Sequence, residues 1–244
     1  MGKLAESRYA CRMCGRFVQS ITWRELHELL AGLTGAPVEL KPRYNLAPGQ
    51  DAAVIRAGAE GFQLDLLHWG LIPPWARDPA IAFKLINARV ETAAEKPSFR
   101  NSWRARRCLI PANGYYEWTS AGGIRQPWLI RRRDEAPLFL AGLWENWRIT
   151  EPASLHGRFA GRQAGEQIET FTILTTAANE DVEAINHRMP VLLHPHQFES
   201  WLTSAPATPA AAQPGQLASQ TVDVRVNDPR NDDPDCLLPS LSLL

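Results

Sequence analysis

Hydrophobic and polar positions along this chain alternate mostly with the period of short strands, and few segments have helical spacing. The segment from Thr22 to Gly32 places Leu26, Leu29 and Leu30 on one helical face, with Thr22 as N-cap and Gly32 as the stop. Strands are predicted at 52–56, 61–69, 108–111, 114–119, 128–132, 138–143, 171–176, 191–193 and 221–226. Further short helices are predicted at 88–96, 181–185 and 195–202. This pattern favours an α+β fold, with a curved mixed β-sheet or partly closed barrel and short helices.

Several stretches interrupt the periodic pattern. The sequence YNLAPGQ at 44–50 predicts a loop, and the prolines of GLIPPWA at 70–76 exclude regular structure there. Residues 154–165, rich in Gly and Arg, are interpreted as an insertion, and residues 204–220, rich in Ala, Pro, Gln and Ser, as a flexible linker. We therefore predict one domain over 13–238, preceded by a short polar leader at 1–12.

Composition narrows the class of protein. The chain has 244 residues, 45% of them hydrophobic, which suffices for one domain with a sizeable core. We find no apolar run of 18 or more residues and no signal-peptide pattern, so we expect a cytoplasmic protein with no membrane partner. The formal net charge of zero argues against a general attraction to nucleic acid. Most basic residues are arginines, which suit phosphate contacts, although a GC-rich genome would explain the same bias.

The four cysteines are Cys11, Cys14, Cys108 and Cys236, too few and too scattered for a disulfide framework in a cytoplasmic protein. Cys11 and Cys14 form a C-x-x-C pair. A structural zinc site would need a second pair, and a redox motif would need a strand before it and a helix after it. The sequence therefore predicts no metal and no cofactor.

Cys14 directly follows a methionine, and this order has a chemical consequence. If translation starts at Met13 and that residue is removed, Cys14 carries a free α-amine beside its thiol. Such an aminothiol forms a Schiff base with an aldehyde, and the thiol then closes a five-membered thiazolidine. The α-amine has a pKa of roughly 7.7–8.0, so part of it is neutral and nucleophilic at neutral pH.

Eight blocks occur in an order that resembles the SRAP (SOS response-associated peptidase) family, from Met13 to about Leu238. They are MCGRF, YNLAPGQ, WGLIPPWA, INARVET, RRCLIPANGYYEW, AGLWE, ILTTAAN and RMPVLL. The resemblance implies a single SRAP-type domain that binds single-stranded or junction DNA and links its N-terminal cysteine to the aldehyde of an abasic site, protecting the lesion. By the same resemblance, Cys14 is the nucleophile, Asn87 orients the sugar and the attacking group, and Glu117 transfers protons.

The chain departs from the family pattern at two places. Where the family has His-x-Arg-Met-Pro, with a histidine that assists opening of the sugar ring, this chain has Asn186, and His187 is its neighbour. In an extended segment the two side chains would point in opposite directions, whereas a local turn would bring His187 in, so both are catalytic candidates. We expect a crosslink with altered rate or reversal. The second departure is the leader before Cys14, and we favour Met13 as the true start.

DNA contacts are predicted for arginines and exposed aromatic or apolar residues, because basic grooves and base stacking hold single strands. The candidates are Arg16, Asn45, Pro48, Trp69, Pro73, Trp75, Arg89 and Arg188. Trp69, Pro73 and Trp75 would form a rigid wedge that stacks on the base beside the lesion. The expected partner is single-stranded DNA containing abasic sites, bound by a monomer. Replication-fork proteins as further partners are suggested only by the resemblance to the family, since the sequence contains no docking motif for them.

Two other functions stay open from the sequence. One is a cysteine peptidase with Cys14 as nucleophile, which would require a nearby histidine base and an oxyanion hole. The other is a non-covalent reader of damaged or modified DNA. Labelling of a terminal amine separates the crosslinking function from the reader, because only crosslinking needs that amine free.

Overall fold

The computed structural model describes residues 14–121, 123–152, 159–204, 207–209 and 212–240. Within these ranges the strands are β1 Phe17–Gln19, β2 Arg43–Leu46, β3 Asp51–Gly58, β4 Gly61–Trp69, β5 Asn87–Arg89, β6 Arg107–Ala112, β7 Gly114–Ala121, β8 Ile124–Arg132, β9 Leu138–Arg148, β10 Gln167–Ala177, β11 Arg188–Pro190 and β12 Leu217–Thr221. The α-helices are α1 Trp23–Leu29, α2 Val90–Ala93, α3 Arg100–Ala105 and α4 Phe198–Thr203. Short 3-10 helices cover Pro79–Lys84, Pro195–Gln197, Val224–Asn227 and Pro234–Leu237.

The larger sheet closes on itself as a five-stranded barrel in the order β4-β3-β6-β9-β10. Its pairings are antiparallel except between β10 and β4, which run parallel and complete the ring. Gly142 in β9 leaves no room for a side chain, since a Cβ there would come within 2.4 Å of Ile110 Cδ1 and 2.9 Å of the Thr172 carbonyl oxygen. The predicted α+β class with a curved mixed sheet and barrel closure is confirmed.

The smaller sheet runs β12-β8-β7-β1-β2 and is antiparallel throughout. Its central strand β7 presents alternate side chains to two different apolar clusters. Tyr115 packs in the cluster that includes Cys14 and Phe17. Tyr116 and Trp118 pack in a separate cluster with residues of β1, the 3-10 helix at 224–227 and its flanks. Strand β7 therefore separates two apolar clusters, one of which contains Cys14.

Helix α1 is confirmed, and its first turn has the predicted cap. The Thr22 hydroxyl accepts from the Glu25 N–H, and the Glu25 carboxylate accepts from the Thr22 N–H, which forms a capping box. Leu26 and Leu30 are buried as predicted, but Leu29 is largely exposed. The helix ends before a third full turn, so its apolar face is narrower than the sequence suggests.

Several segment predictions are corrected by the tertiary pairing. Residues 87–89, which overlap the predicted 88–96 helix, instead form β5, parallel to β10, and only Val90–Ala93 is helical. The last strand is not 221–226: β12 spans Leu217–Thr221 and begins inside the predicted linker, because it pairs with β8 over its whole length. Residues 181–185 form a hydrogen-bonded turn instead of a helix. The hydrophobic pattern does not predict strands β1 and β2 or helix α3.

The remaining organisational predictions lie partly outside the described residues. The leader 1–12 is outside them, as are 153–158 of the predicted insertion and 205–206 and 210–211 of the predicted linker. Residues 212–217 dock on the domain, where the Asp181 carboxylate accepts the N–H groups of Gly215 and Leu217. No helix within the described ranges is long and apolar enough to cross a membrane.

Candidate active site

Cys14 lies just before β1 and is fully buried against strand β7. Its backbone N–H donates to Glu117 Oε1 at 2.6 Å, and its carbonyl oxygen accepts from Asn87 Nδ2 at 3.3 Å. Its φ of +34° is unusual for a residue with a side chain and turns the chain sharply as it enters β1. Both peptide groups of Cys14 are therefore held by side chains that the sequence nominated.

Glu117 is fully buried, and its carboxyl group is shared between two donors. Oε1 accepts from the Cys14 nitrogen, and Oε2 accepts from Asn186 Nδ2 at 2.9 Å. Burial raises the pKa of Glu117 to about 7, because the two hydrogen bonds and the positive charge of Arg125 offset only part of the desolvation. A carboxyl group with this pKa is divided between its acid and base forms at neutral pH, which suits proton transfer in both directions.

The Cys14 thiol is neutral at neutral pH, because burial and the adjacent Glu117 raise its pKa well above the ordinary value. The neighbouring Tyr115 hydroxyl is also buried and has no hydrogen-bond partner among the described residues. Burial raises the pKa of Tyr115, and negative charge on Cys14, Glu117 or Asp181 would raise it further. The site thus combines one titratable carboxyl with two hydroxyl or thiol groups that keep their protons.

Asn186 and His187, the two residues where the chain departs from the family pattern, differ in burial and in hydrogen bonding. Asn186 is buried and bonds to Glu117, whereas His187 is exposed. The structure therefore brings Asn186 to Glu117, whereas the His187 side chain makes no hydrogen bond to Cys14 or Glu117 among the described residues. The segment reaches β11 through a turn, in which the Asn186 N–H donates to the Val182 carbonyl and Asn186 Oδ1 accepts from the Arg188 N–H. The amide of Asn186 donates a hydrogen bond but does not titrate.

Some predicted DNA contacts are available on the surface. Arg89 and Trp75 are exposed, the latter at 58%, and Pro48 is half-buried in the loop after β2. Phe83 is 54% exposed and lies over the same loop, where a Cβ on Gly49 would meet its ring at 3.4 Å. The sequence did not nominate Phe83, because a single Phe in an apolar run (IAFKLI) is more typical of a core residue.

Other residues predicted to contact DNA are buried and already bonded or packed within the fold. Trp69 is fully buried and its indole N–H donates to the Ile86 carbonyl, so it offers no stacking face. Pro73 is buried as well. Asn45 is buried and its amide donates to the carbonyls of Val226, Asp228 and Asn231.

Arg188 is also buried, and its guanidinium forms a two-point pair with Glu91 and donates to the Thr175 carbonyl. This braces β11 against α2 and β10 and does not leave a free phosphate clamp. Arg16 is only partly buried; its Nη1 donates to Asn45 Oδ1 at 2.8 Å and to the Val226 carbonyl at 3.0 Å. Of the predicted basic contacts, Arg16 and Arg89 keep exposed surface.

Fold and site together define a β-barrel protein whose candidate reactive group is a buried cysteine, with its backbone nitrogen on a protonatable carboxyl group. The family model described as SOS response associated peptidase (SRAP) matches residues 13–229, and the chain belongs to this family. The match begins one residue before Cys14 and includes Asn87, Glu117 and Asn186.

Named relatives extend over most of the chain. It is 35% identical to the abasic site processing protein YoqW of Bacillus subtilis, over 92% of this chain and 99% of that protein. It is 34% identical to the abasic site processing protein YedK of Escherichia coli, over 78% of this chain and 79% of that protein. A crystal structure of a Bordetella bronchiseptica protein has a TM-score of 0.68 at 27% identity and covers 86% of this chain and 100% of that chain.

Proposed function

We propose that this protein processes abasic sites in DNA by linking Cys14 covalently to the aldehyde of the ring-opened sugar. The observation that carries the proposal is the 2.6 Å contact between the Cys14 nitrogen and Glu117 Oε1, in a site where the carboxyl pKa is about 7. Membership of the SRAP family and the printed names of the relatives, abasic site processing proteins, support the choice of substrate.

The amine and thiol of Cys14 and the carboxyl group of Glu117 each take part in the reaction, which releases one water molecule. The neutral α-amine of Cys14 adds to the sugar C1 aldehyde, and Glu117 moves one amine proton to the aldehyde oxygen, which becomes a hydroxyl group. Glu117 then passes the second amine proton to this hydroxyl, which leaves as water as the C=N bond forms. The thiol sulfur then adds to the same carbon, and its proton goes to the nitrogen through Glu117, which closes the thiazolidine. Glu117 ends in its starting protonation state, as a general acid–base must.

The neutral thiol fits this order of events. In a peptidase the cysteine attacks first as a thiolate, activated by a neighbouring imidazole. Here burial raises the pKa of the Cys14 thiol, and no histidine in the described part of the chain hydrogen-bonds to it. An amine that attacks first needs no thiolate, because sulfur enters only after the imine has formed. This favours crosslinking over a peptidase function.

The chemistry requires that Cys14 carry a free amine, so the active form begins at Cys14. With residues before it, the same nitrogen is a peptide N–H and cannot add to an aldehyde. The amine of the shortened form would occupy the position of that N–H, beside Glu117. The surface that receives the DNA strand includes Trp75, Phe83 and Arg89, since aromatic faces stack on bases and guanidinium groups bind phosphates.

Intact-mass spectrometry tests the proposal on two proteins, the full 244-residue chain and the chain begun at Met13. Each is mixed with a single-stranded oligonucleotide that contains one abasic site. The protein whose mass begins at Cys14 is expected to gain the mass of the oligonucleotide less one water. The chain that keeps its leader is expected to gain nothing.

Two controls sharpen the result. An oligonucleotide without the lesion should give no adduct, and Cys14→Ser should give only an imine that borohydride reduction traps. If the protein that begins at Cys14 binds the abasic oligonucleotide but forms no covalent adduct under any of these conditions, crosslinking is wrong. A non-covalent reader of damaged DNA would then be the better description.

A further inference from the structure

A second functional cluster lies on the opposite face of β7 from Glu117. The indole ring of Trp118 lies beneath two guanidinium groups, with Arg125 Cζ at 4.5 Å and Arg16 Cζ at 5.8 Å from the ring centroid. The ring is held in place because its N–H donates to Asn227 Oδ1 at 2.7 Å. Asn227 Nδ2 in turn donates to the Arg125 carbonyl oxygen at 3.1 Å. Two cations are thus fixed over one aromatic surface.

Neither guanidinium group forms a salt bridge within the described residues, although the negative charge of Asp228 acts on Arg16 from a distance. Arg16 bonds to the neutral oxygens of Asn45 and Val226. Arg125 is exposed and forms no ion pair with any described residue. Arg24 and Arg132 differ in this respect, as Arg24 pairs with Glu28 and Arg132 with Asp134. Two neighbouring guanidinium groups, neither bonded to a carboxylate, favour binding of an anion at this surface.

The positive charge of Arg125 acts electrostatically on both Arg16 and Glu117. Burial lowers the pKa of Arg16, and the like charge of Arg125 lowers it further, whereas Tyr116, Asp228 and Cys236 act in the opposite direction. Arg125 also contributes to lowering the pKa of Glu117. Arg125 lies over Trp118, the residue that directly follows Glu117 in β7. Arg16 is only two residues from Cys14 in the chain.

We propose that Arg16 and Arg125 together bind one phosphodiester group of the DNA strand next to the lesion, with Trp118 as the platform that holds both guanidinium groups. Planar guanidinium groups match phosphate oxygens at two points, and a bound phosphate would neutralise the excess charge. This inference rests on DNA as the substrate of the proposed function. It adds Arg125, a strand residue outside the blocks that resemble the family, as the phosphate ligand.

Arg125→Gln tests the inference on non-covalent binding of an undamaged single-stranded oligonucleotide. We expect affinity at low salt to fall roughly tenfold, since a charge-assisted bond is lost. The slope of log K against log salt should become less steep by about 0.7, the contribution of one phosphate on a single strand. The matched control is Arg131→Gln on the same strand β8, where the arginine is already paired with Glu135. It should change neither affinity nor slope.

A neutral methylphosphonate at successive positions of the oligonucleotide locates the phosphate. At one position it should weaken wild-type binding as much as Arg125→Gln does, and it should cost nothing further in that variant. If Arg125→Gln matches Arg131→Gln in affinity and salt slope while the protein still crosslinks abasic DNA, this inference is wrong and the proposed function stands. If the slope changes as expected but no adduct ever forms, the phosphate site stands and crosslinking fails.

Discussion

The two faces of strand β7 differ although their residues alternate in one short sequence, GYYEW at 114–118. On one face, Tyr115 and Glu117 are buried with Cys14; each Glu117 oxygen accepts one hydrogen bond, and the Tyr115 hydroxyl has no partner among the described residues. On the other, the Tyr116 hydroxyl donates to the Tyr44 and Cys236 carbonyls, and Trp118 carries two arginines. Burial on the first face raises the pKa of Glu117 to about 7. On the second face, hydrogen bonds of Tyr116 and Trp118 hold both side chains in place.

The contrast shows how a strand can separate chemistry from binding. A period of two places neighbours in sequence on opposite sides, so a reactive carboxyl and a charged platform can be adjacent without neutralising each other. Arg125 influences Glu117 electrostatically but does not bond to it. The variants below test whether the two faces really have separate tasks.

The largest effect is expected for Glu117→Gln on the reaction face. The amide keeps the shape of the carboxyl but cannot move protons, so the rate of crosslink formation should fall by about 10²–10⁴-fold. Single-turnover gel assays with an abasic oligonucleotide measure this rate. Glu28→Gln, an exposed carboxylate on α1, is the control and should react like the wild type. A Glu117→Gln protein that crosslinks at the wild-type rate would remove Glu117 from the chemistry.

Glu117 should also make stability depend on pH. Its pKa is about 7 in the folded protein against an ordinary value of 4.5, so between these values the folded state holds a proton that the unfolded state has lost. The stabilisation is complete below the unfolded pKa and is lost as pH rises through 7. Relative to Glu117→Gln, the free energy of unfolding of the wild type should fall by about 3 kcal/mol over this window. Urea denaturation of both proteins across that window measures the difference, and a constant difference would contradict the raised pKa.

The two tyrosines of the strand should respond differently to loss of their hydroxyl groups. Tyr116→Phe removes hydrogen bonds at 2.8 and 3.4 Å and should destabilise the fold by about 1 kcal/mol. Tyr115→Phe removes a buried hydroxyl that has no partner among the described residues, so stability should stay equal or rise slightly. Chemical denaturation of the pair is the test. Equal losses would mean that the faces do not differ in hydrogen bonding.

The smallest effect concerns Asn186. Its amide donates to Glu117 Oε2 and favours the ionised carboxylate, so Asn186→Ala should raise the pKa of Glu117 further. The pH at which the crosslinking rate changes should move upward by less than about one pH unit. The comparison variant is His187→Ala, whose exposed side chain should not alter the profile. An upward shift from His187→Ala alone would reverse the assignment of these neighbours.

Ordered motifs and local patterns were enough to predict much of this protein. Helix α1 with its N-cap Thr22 and the two strands β3 and β4 followed from periodicity, because these depend on neighbours in sequence, and the α+β class followed from the many short strands. The blocks around Cys14, Asn87 and Glu117 indicated the SRAP family, to which the chain belongs. The amino-acid sequence by itself therefore determined which residues carry chemically useful groups.

Tertiary structure decided how those groups act. Only packing buries Glu117 and raises its pKa, turns Asn186 inward and His187 outward, and places Trp69 in the core while Trp75 and Phe83 stay exposed. Only strand pairing sets Arg125 over Trp118, seven residues away in sequence but on the neighbouring strand. Residue identity is local, but burial, pKa and the meeting of distant side chains depend on contacts that the chain makes only after it has folded.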